Sequence, residues 1–309
     1  MQTEAAAALG VARRALVTGA SGYIGGRLVG HLLRQGWQVH VVLRPHTALH
    51  TLQAVQDRIT VHRHDGSTAG MGELMAQAQP HTVFHLASLF LAQHRPEDVP
   101  ALITSNLLFG TQLAEAMVQH GVRELVNTGT AWQHYESQPY NPVNLYAATK
   151  QAFEDLLAYY VQAHDLKVCT LALFDTYGPD DPRAKLIALL WKTALAGVPL
   201  PMSPGEQLID LVHIDDVLAA YTQAAALLPQ QAPGHARYGV SSGQPLRLQD
   251  LVRAFEAATG CTVPIVWGGR SYRVREVMQP WHNPPRLPGW QPRVPFATGV
   301  LQTRPAMQG

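Results

Sequence analysis

Along the first half of the chain, short and nearly continuous apolar runs alternate with stretches whose apolar residues recur at helical spacing. Residues 14–18 (RALVT) read as a buried strand, and a glycine-punctuated turn then opens a helix over 23–34. Gly36 ends that helix, and residues 37–43 (WQVHVVL) read as a second strand. Further strands are predicted at 59–64, 82–86, 124–128 and 167–174, with helices near 71–79, 100–120 and 144–164. Strands apolar throughout are buried on both faces, and strands separated by helices pair in parallel. The pattern predicts an α/β fold, a doubly wound parallel sheet of the dinucleotide-binding (Rossmann) kind over residues 13–178.

After Gly178-Pro179 the texture changes, with Pro182, Pro199, Pro201 and Pro204 around a helix near 184–196. A strand over 208–212 and a helix over 215–228 read as a return to the first domain, which assigns 208–241 to it. The rest of 179–309, with six prolines between Pro280 and Pro295, is expected to form a smaller, discontinuous C-terminal substrate-binding domain over a cleft.

Composition narrows the class. The 309 residues are 47% hydrophobic and 15% charged with a formal net charge of +1, which suits a soluble globular enzyme. Near-neutral charge gives no reason to expect nucleic acid or a membrane surface as partner. No apolar stretch approaches the roughly 20 residues a membrane span needs. The first fourteen residues, MQTEAAAALGVARR, read as a flexible tail and not as a signal or transit peptide. Cys169 and Cys261 read as reduced thiols beside apolar residues, in keeping with a cytoplasmic location. Fifteen histidines occur without metal-ligand spacing; His62 and His64 read as surface histidines, and no metal is expected.

The turn Thr18-Gly19-Ala20-Ser21-Gly22-Tyr23-Ile24-Gly25 joins the first strand to the first helix. Gly19 can take a tight turn, Gly22 lets backbone N–H groups approach a pyrophosphate, and Gly25 lets the helix pack closely. Between a strand and an amphipathic helix, that glycine spacing reads as a dinucleotide site lined by Gly19, Ser21, Gly22, Tyr23, Ile24 and Gly25. The second strand ends Leu43-Arg44-Pro45-His46-Thr47, with no carboxylate for ribose hydroxyls. Arg44 is placed to meet a 2′-phosphate, which favours NADP(H) and leaves NAD(H) open. Asp65 and Gly66 are placed to meet the adenine, and Leu86, Ala87, Ser88 and Thr128 to line the rest of the cofactor.

Tyr146 and Lys150 stand four apart at the start of a helix, so their side chains share a face. An ordinary tyrosine pKa is near ~10; a nearby ammonium and an oxidised nicotinamide would lower it. The lysine can also hold the nicotinamide ribose, and Thr130 can hydrogen-bond the reacting oxygen.

TGASGYIG, HLAS, the run from Asn106 to Thr111, the Thr130 strand end, YAATK and DLVHIDDV together resemble the extended short-chain dehydrogenase/reductases, more narrowly their NAD-dependent epimerase/dehydratase branch. The resemblance runs from about Arg14 to Gln302 and implies nucleotide-sugar substrates. It also implies a Thr130–Tyr146–Lys150 triad and a homodimer formed through the helices at 100–120 and 144–164. Dehydratases of the branch follow the threonine with Asp-Glu; here Ala131 and Trp132 follow Thr130, which argues against dehydration. TGTAWQHY, YNPVNLYAATKQAF and FDTYGPDDPR look most like the reductases that complete CDP-linked 3,6-dideoxyhexoses, the CDP-abequose or CDP-paratose synthases.

The resemblance therefore implies NADPH-dependent reduction of a 4-keto sugar, with Trp132, Gln133 and His134 near the sugar, joined by Ser88, Thr130, Asp175 and Lys185. Two positions depart from the family pattern. Ile209 precedes Asp210 where members often have arginine on the diphosphate, and Asp175 replaces a frequent asparagine. Arg183, Lys185, Arg237, Arg270, Arg273 and Arg275 are candidates for compensating charge. A 4-epimerase with tightly bound NAD, a reductase of a small non-nucleotide carbonyl, and a non-catalytic dinucleotide sensor are the alternatives.

Overall fold

A computed structural model describes residues 12–305. Its centre is a seven-stranded parallel sheet: β1 (Arg14–Thr18), β2 (Gln38–Leu43), β3 (Ile59–Arg63), β4 (Thr82–His85), β5 (Glu124–Thr130), β6 (Lys167–Leu173) and β7 (Gly234–Val240). The spatial order is β7-β6-β5-β4-β1-β2-β3, so chain order reverses between β1 and β4. That reversal splays the connections apart and opens a crevice at the carboxyl ends of these two strands. Thr18 pairs with His85 at that end. Ala15, Leu16, Val17, Val83, Phe84, Leu125 and Val126 are fully buried, as strands covered on both faces require.

Helices α1 (Tyr23–Arg34), α2 (Thr68–Ala78), α3 (Phe109–Gln119) and α4 (Leu145–His164) connect and cover these strands. Met71, Met75, Leu113, Met117, Phe153, Leu157 and Val161 form the core between α2, α3, α4 and the sheet. Downstream lie α5 (Leu186–Ala196), α6 (Ile214–Leu227) and α7 (Leu248–Thr259). In the second unit Ile187, Leu190, Trp191, Leu251, Val252 and Phe255 build a separate core.

Backbone contacts divide the chain into two units. The first holds the described residues up to Thr130, Asn144–Ala172 and Leu218–Tyr238; the second holds Ala131–Val143, Leu173–Val217 and the described residues from Gly239 on. The returning segment is thus narrower than 208–241, and the first unit gives way at Ala172 and not at 178. The expected strand over 208–212 is two short ones: Leu208–Ile209 pairs antiparallel with Leu246–Arg247, and Leu211–His213 pairs parallel with Asp175–Tyr177. Instead, β7 joins the main sheet.

Other elements also differ from expectation. The helix expected over 100–120 is interrupted, because Val99–Ile103 passes through a π-helical turn, Thr104–Leu108, before α3. A 3-10 segment, His50–Arg58, links β2 to β3. His62 and His64 are not surface histidines but buried ones. His62 Nε2 lies 2.9 Å from His40 Nδ1 with the rings stacked, and burial lowers the pKa of both. Cys169 is buried and Cys261 half-buried, both as free thiols. Among the described residues no three His, Cys, Asp or Glu side chains group as a metal site, and no helix is long and apolar enough to cross a membrane. The first eleven residues of the expected tail lie outside the described residues.

Candidate active site

The glycine turn is built by close approach. Gly19 has φ +73° and a Cβ there would sit 2.6 Å from the backbone nitrogen of Ala87, so the turn presses on the Leu86–Ala87 segment. A Cβ on Gly25 would lie 2.2 Å from the Gly19 carbonyl oxygen, so only glycine lets α1 begin this near β1. Gly22 caps α1 in extended conformation without a side-chain cap bond, and the first turn of α1 holds no acid. Exposed Gly22 therefore leaves helix N–H groups and the positive end of the dipole for an anion, which fits a dinucleotide pyrophosphate. Ser21 and Ile24 are half-buried and Tyr23 buried beside it.

Thr18 ties the two loops together. Its hydroxyl accepts the N–H groups of Leu86 and Ala87 at 3.2 and 3.1 Å and lies 2.8 Å from His85 Nδ1. With its oxygen taken by two donors, its proton goes to Nδ1, which makes His85 the Nε2–H tautomer. Burial, then the charge of Lys150, drives the His85 pKa down to about 3, so the ring is neutral.

Helix α4 carries the two residues predicted from the YAATK run. Asn144 caps it by accepting the Ala147 N–H at 2.9 Å, and its amide donates to the carbonyls of Leu91 and Ala92. Half-buried Tyr146 hydrogen-bonds Ser88 and stands edge-on to Phe90 at 4.9 Å between ring centroids. Burial pushes its phenol up to about 12 despite the Ser88 bond. The lowering expected from a neighbouring ammonium does not set the direction; desolvation does, opposed by the Ser88 bond. Lys150 is 3% exposed; burial brings it down to about 8, and the Glu154 carboxylate opposes that shift.

Asn106 makes a set of loop contacts that sequence reasoning missed. From the π-helical turn it accepts the Ser88 hydroxyl at 3.2 Å and the Leu89 N–H at 2.7 Å, and donates to Leu89 O and Thr149 Oγ1. It thereby locks the Ser88 loop to α4. Its signal is a polar residue on an otherwise apolar helix face. Thr130 closes β5 as a buried residue. Thr128, expected to line the cofactor, donates to His85 O at 2.8 Å, so the Tyr221 hydroxyl 2.7 Å away is the donor to it.

At the far end of the crevice, Arg44 is exposed just after β2. Its carbonyl, with those of Pro45 and Thr47, accepts hydrogen bonds of 2.8–3.0 Å from Arg63 Nη1. Arg63 therefore shapes the turn bearing Arg44. Asp65 accepts the N–H and hydroxyl of Ser67, which lower its pKa, and Gly66 takes φ +94°.

The second unit holds the other candidates. Buried His134 stacks on Trp281 at 3.7 Å, and Trp281 lies parallel to Phe174 at 6.5 Å. Gln133 is buried and Trp132 half-buried, its carbonyl accepting the Val143 N–H. Asp175 is paired: Lys185 Nζ lies 3.4 Å from its Oδ1. Arg183 is bound to Asp181, Arg273 to Glu276, and Arg275 to Asn141 with its guanidinium over Tyr135. Arg237 pairs with Glu154 in the first unit.

A glycine cradle at the strand-order reversal, beside a Ser–Tyr–Lys cluster, matches a known family over residues 15–237. The chain belongs to the NAD dependent epimerase/dehydratase family. It is 30% identical over 324 aligned residues to a UDP-glucose 4-epimerase of Mycolicibacterium smegmatis, covering 94% of this chain and 97% of that protein. It is 24% identical to a CDP-abequose synthase of Salmonella muenchen, again over 94% of this chain and 97% of the relative. The fold matches the crystal structure of Thermus thermophilus UDP-glucose 4-epimerase in complex with NAD, with TM-score 0.78 and 27% identity over 94% of this chain and 97% of that one. Relatives with such different reactions share the framework, so the reaction must be argued from the site.

Proposed function

We propose that this family member reduces the 4-keto group of a nucleotide-linked deoxyhexose, CDP being the favoured nucleotide, with NADPH. The observation that carries the reading is the end of β5, where Ala131 and Trp132 follow Thr130 in place of an acid–base pair, together with Tyr146, a protonated phenol hydrogen-bonded to Ser88 that can donate to a carbonyl oxygen. NADPH, when bound there, would supply the hydride that C4 accepts. Tyr146 gives its proton to the resulting oxygen, Thr130 polarises the carbonyl beforehand, and Lys150 holds the nicotinamide ribose and supports Tyr146 with its charge. Gly19, Ser21, Gly22, Tyr23, Ile24 and Gly25 hold the pyrophosphate, Arg44 the 2′-phosphate, and Asp65 and Gly66 the adenine end. Leu86, Ala87, Ser88 and Thr128 flank the cofactor, and Trp132, Gln133, His134, Asp175 and Lys185 serve the substrate. Ala131 and Trp132 after Thr130 supply no acid–base pair for dehydration.

Consumption of one NADPH per molecule of reduced CDP-sugar, followed by absorbance, tests the reading. A second reading, 4-epimerisation with tightly held NAD, is favoured by the 30% identity to a UDP-glucose 4-epimerase. Tightly bound NAD and turnover with no net absorbance change would replace the first reading by the second. A homodimer is supported by apolar residues left exposed on the helical face, Ile103, Leu108, Leu156 and Tyr159, and sedimentation velocity tests it.

A further inference from the structure

Behind the Tyr–Lys pair, α4 carries a third functional group at the same spacing. Tyr146, Lys150 and Glu154 follow one another four residues apart, so they form a ladder along one face. Glu154 is 2% exposed, a burial that a carboxylate tolerates only with compensation. The compensation comes from the edge strand β7. Arg237 Nε and Nη2 converge on Glu154 Oε2 at 2.7 and 2.5 Å, and His235 Nε2 lies 3.6 Å from the same oxygen. His235 and Arg237 are two apart on β7 and so face α4 together. The anchor continues inward: His235 Nε2 is 2.8 Å from Thr170 Oγ1 on β6, to which Asn127 on β5 donates at 3.0 Å. An ion pair with a buried carboxylate and a part-exposed arginine, far from chemistry, would usually be replaceable by apolar packing. Here it stands one helical turn from the lysine expected to hold the ribose.

We propose that Glu154 is a positioning residue of the reaction: held by Arg237 from β7, it keeps Lys150 an oriented ammonium beneath the nicotinamide ribose. The inference rests on the dinucleotide reading above. The charged and titratable groups around the pair are few. His85 on β4 faces Lys150 as a neutral ring, and Tyr146 is a neutral phenol on the same helix. Arg237 and His235 face Glu154 from β7, Gln151 accepts from Arg237, and Asp155 faces His235. Of these, only Glu154 places a negative charge against Lys150.

The test titrates NADPH and NADH onto the full-length protein across pH by nicotinamide fluorescence, for wild type, Glu154→Gln, Glu154→Asp and Arg237→Gln. Wild type is expected to lose dinucleotide affinity as Lys150 deprotonates. Glu154→Gln is expected to move that alkaline limb down by on the order of one pH unit. Glu154→Asp is expected to restore most of the shift. Arg237→Gln, which removes a positive neighbour and leaves the carboxylate, is expected to move the limb up. A carboxylate that merely anchored β7 would instead weaken both variants without opposite shifts, and that result overturns the inference. If Glu154→Gln does not fold, the sign of the Arg237→Gln shift decides alone, a downward or absent shift counting against it. Wild-type protein that binds neither dinucleotide overturns the functional reading and this inference together. A normal wild-type limb with unmoved variants overturns this inference only.

Discussion

Thr18 and His85, the last residues of two adjacent parallel strands, are joined by a buried 2.8 Å hydrogen bond at the point where strand order reverses. Burial, and after it the charge of Lys150, holds the imidazole neutral, with a pKa of about 3 against an unfolded value near ~6.5. Between those values the unfolded chain binds a proton that the folded chain refuses. The contribution of His85 to stability is therefore complete above the unfolded pKa and is lost as pH falls through 6 and 5 toward the folded one. Urea midpoints at pH 7.5 and pH 5.5 should fall apart more in wild type than in His85→Gln, whose side chain does not titrate. Equal falls in both proteins would refute this assignment.

Gly19→Ala should damage both loops of the crevice. The left-handed backbone alone costs on the order of 1–2 kcal/mol for a side chain. The added methyl would also sit 2.6 Å from Ala87 N. Thermal unfolding should shift downward, and dinucleotide affinity should fall by more than that shift accounts for.

Tyr146→Phe removes the proposed proton donor and leaves the ring that packs edge-on against Phe90. Turnover should drop by roughly 10²–10⁴-fold with little change in melting temperature. Ser88→Ala should lower turnover less and move the Tyr146 limb of the pH profile upward, because the Ser88 bond opposes the upward push of burial.

Arg44→Ala should weaken NADPH by roughly ten- to a hundredfold and leave NADH nearly untouched, since a hydrogen bond to a charged group contributes about 1.5–3 kcal/mol. Arg63→Ala should act in the same direction more weakly. Its guanidinium donates to three carbonyls of the Arg44 turn, so its loss loosens that turn without removing its charge.

The Lys185–Asp175 pair carries predictions of opposite sign. Lys185→Ala should raise KM for a nucleotide-diphosphate sugar, and Asp175→Asn should lower it by removing a negative charge beside the lysine. Both effects should shrink as salt is raised, the pair being part-exposed.

Strands β1, β2, β4, β5 and β6 were legible because burial on both faces writes them as apolar runs. β7 was not, since GHARYGV is an edge strand that spends His235 and Arg237 on partners in α4 and β6. The glycine turn and the Tyr146–Lys150 spacing are local patterns and could be read directly. The protonation of Tyr146 could not, because desolvation depends on what the fold lays over a side chain. Asn106, Arg63 and Glu154 escaped for the same reason: each acts on residues 16 to 83 positions away. The π-helical turn that aims Asn106 at Ser88 leaves no composition signal either.

Asn144 both caps α4 and donates to the carbonyls of Leu91 and Ala92. The segment following Ser88 and the helix carrying Tyr146 and Lys150 are thereby joined through two amides, Asn144 and Asn106. A substitution that shifts Leu91 or Ala92 would transmit its displacement through Asn144 to the start of α4, so changes in this loop should be felt at Tyr146.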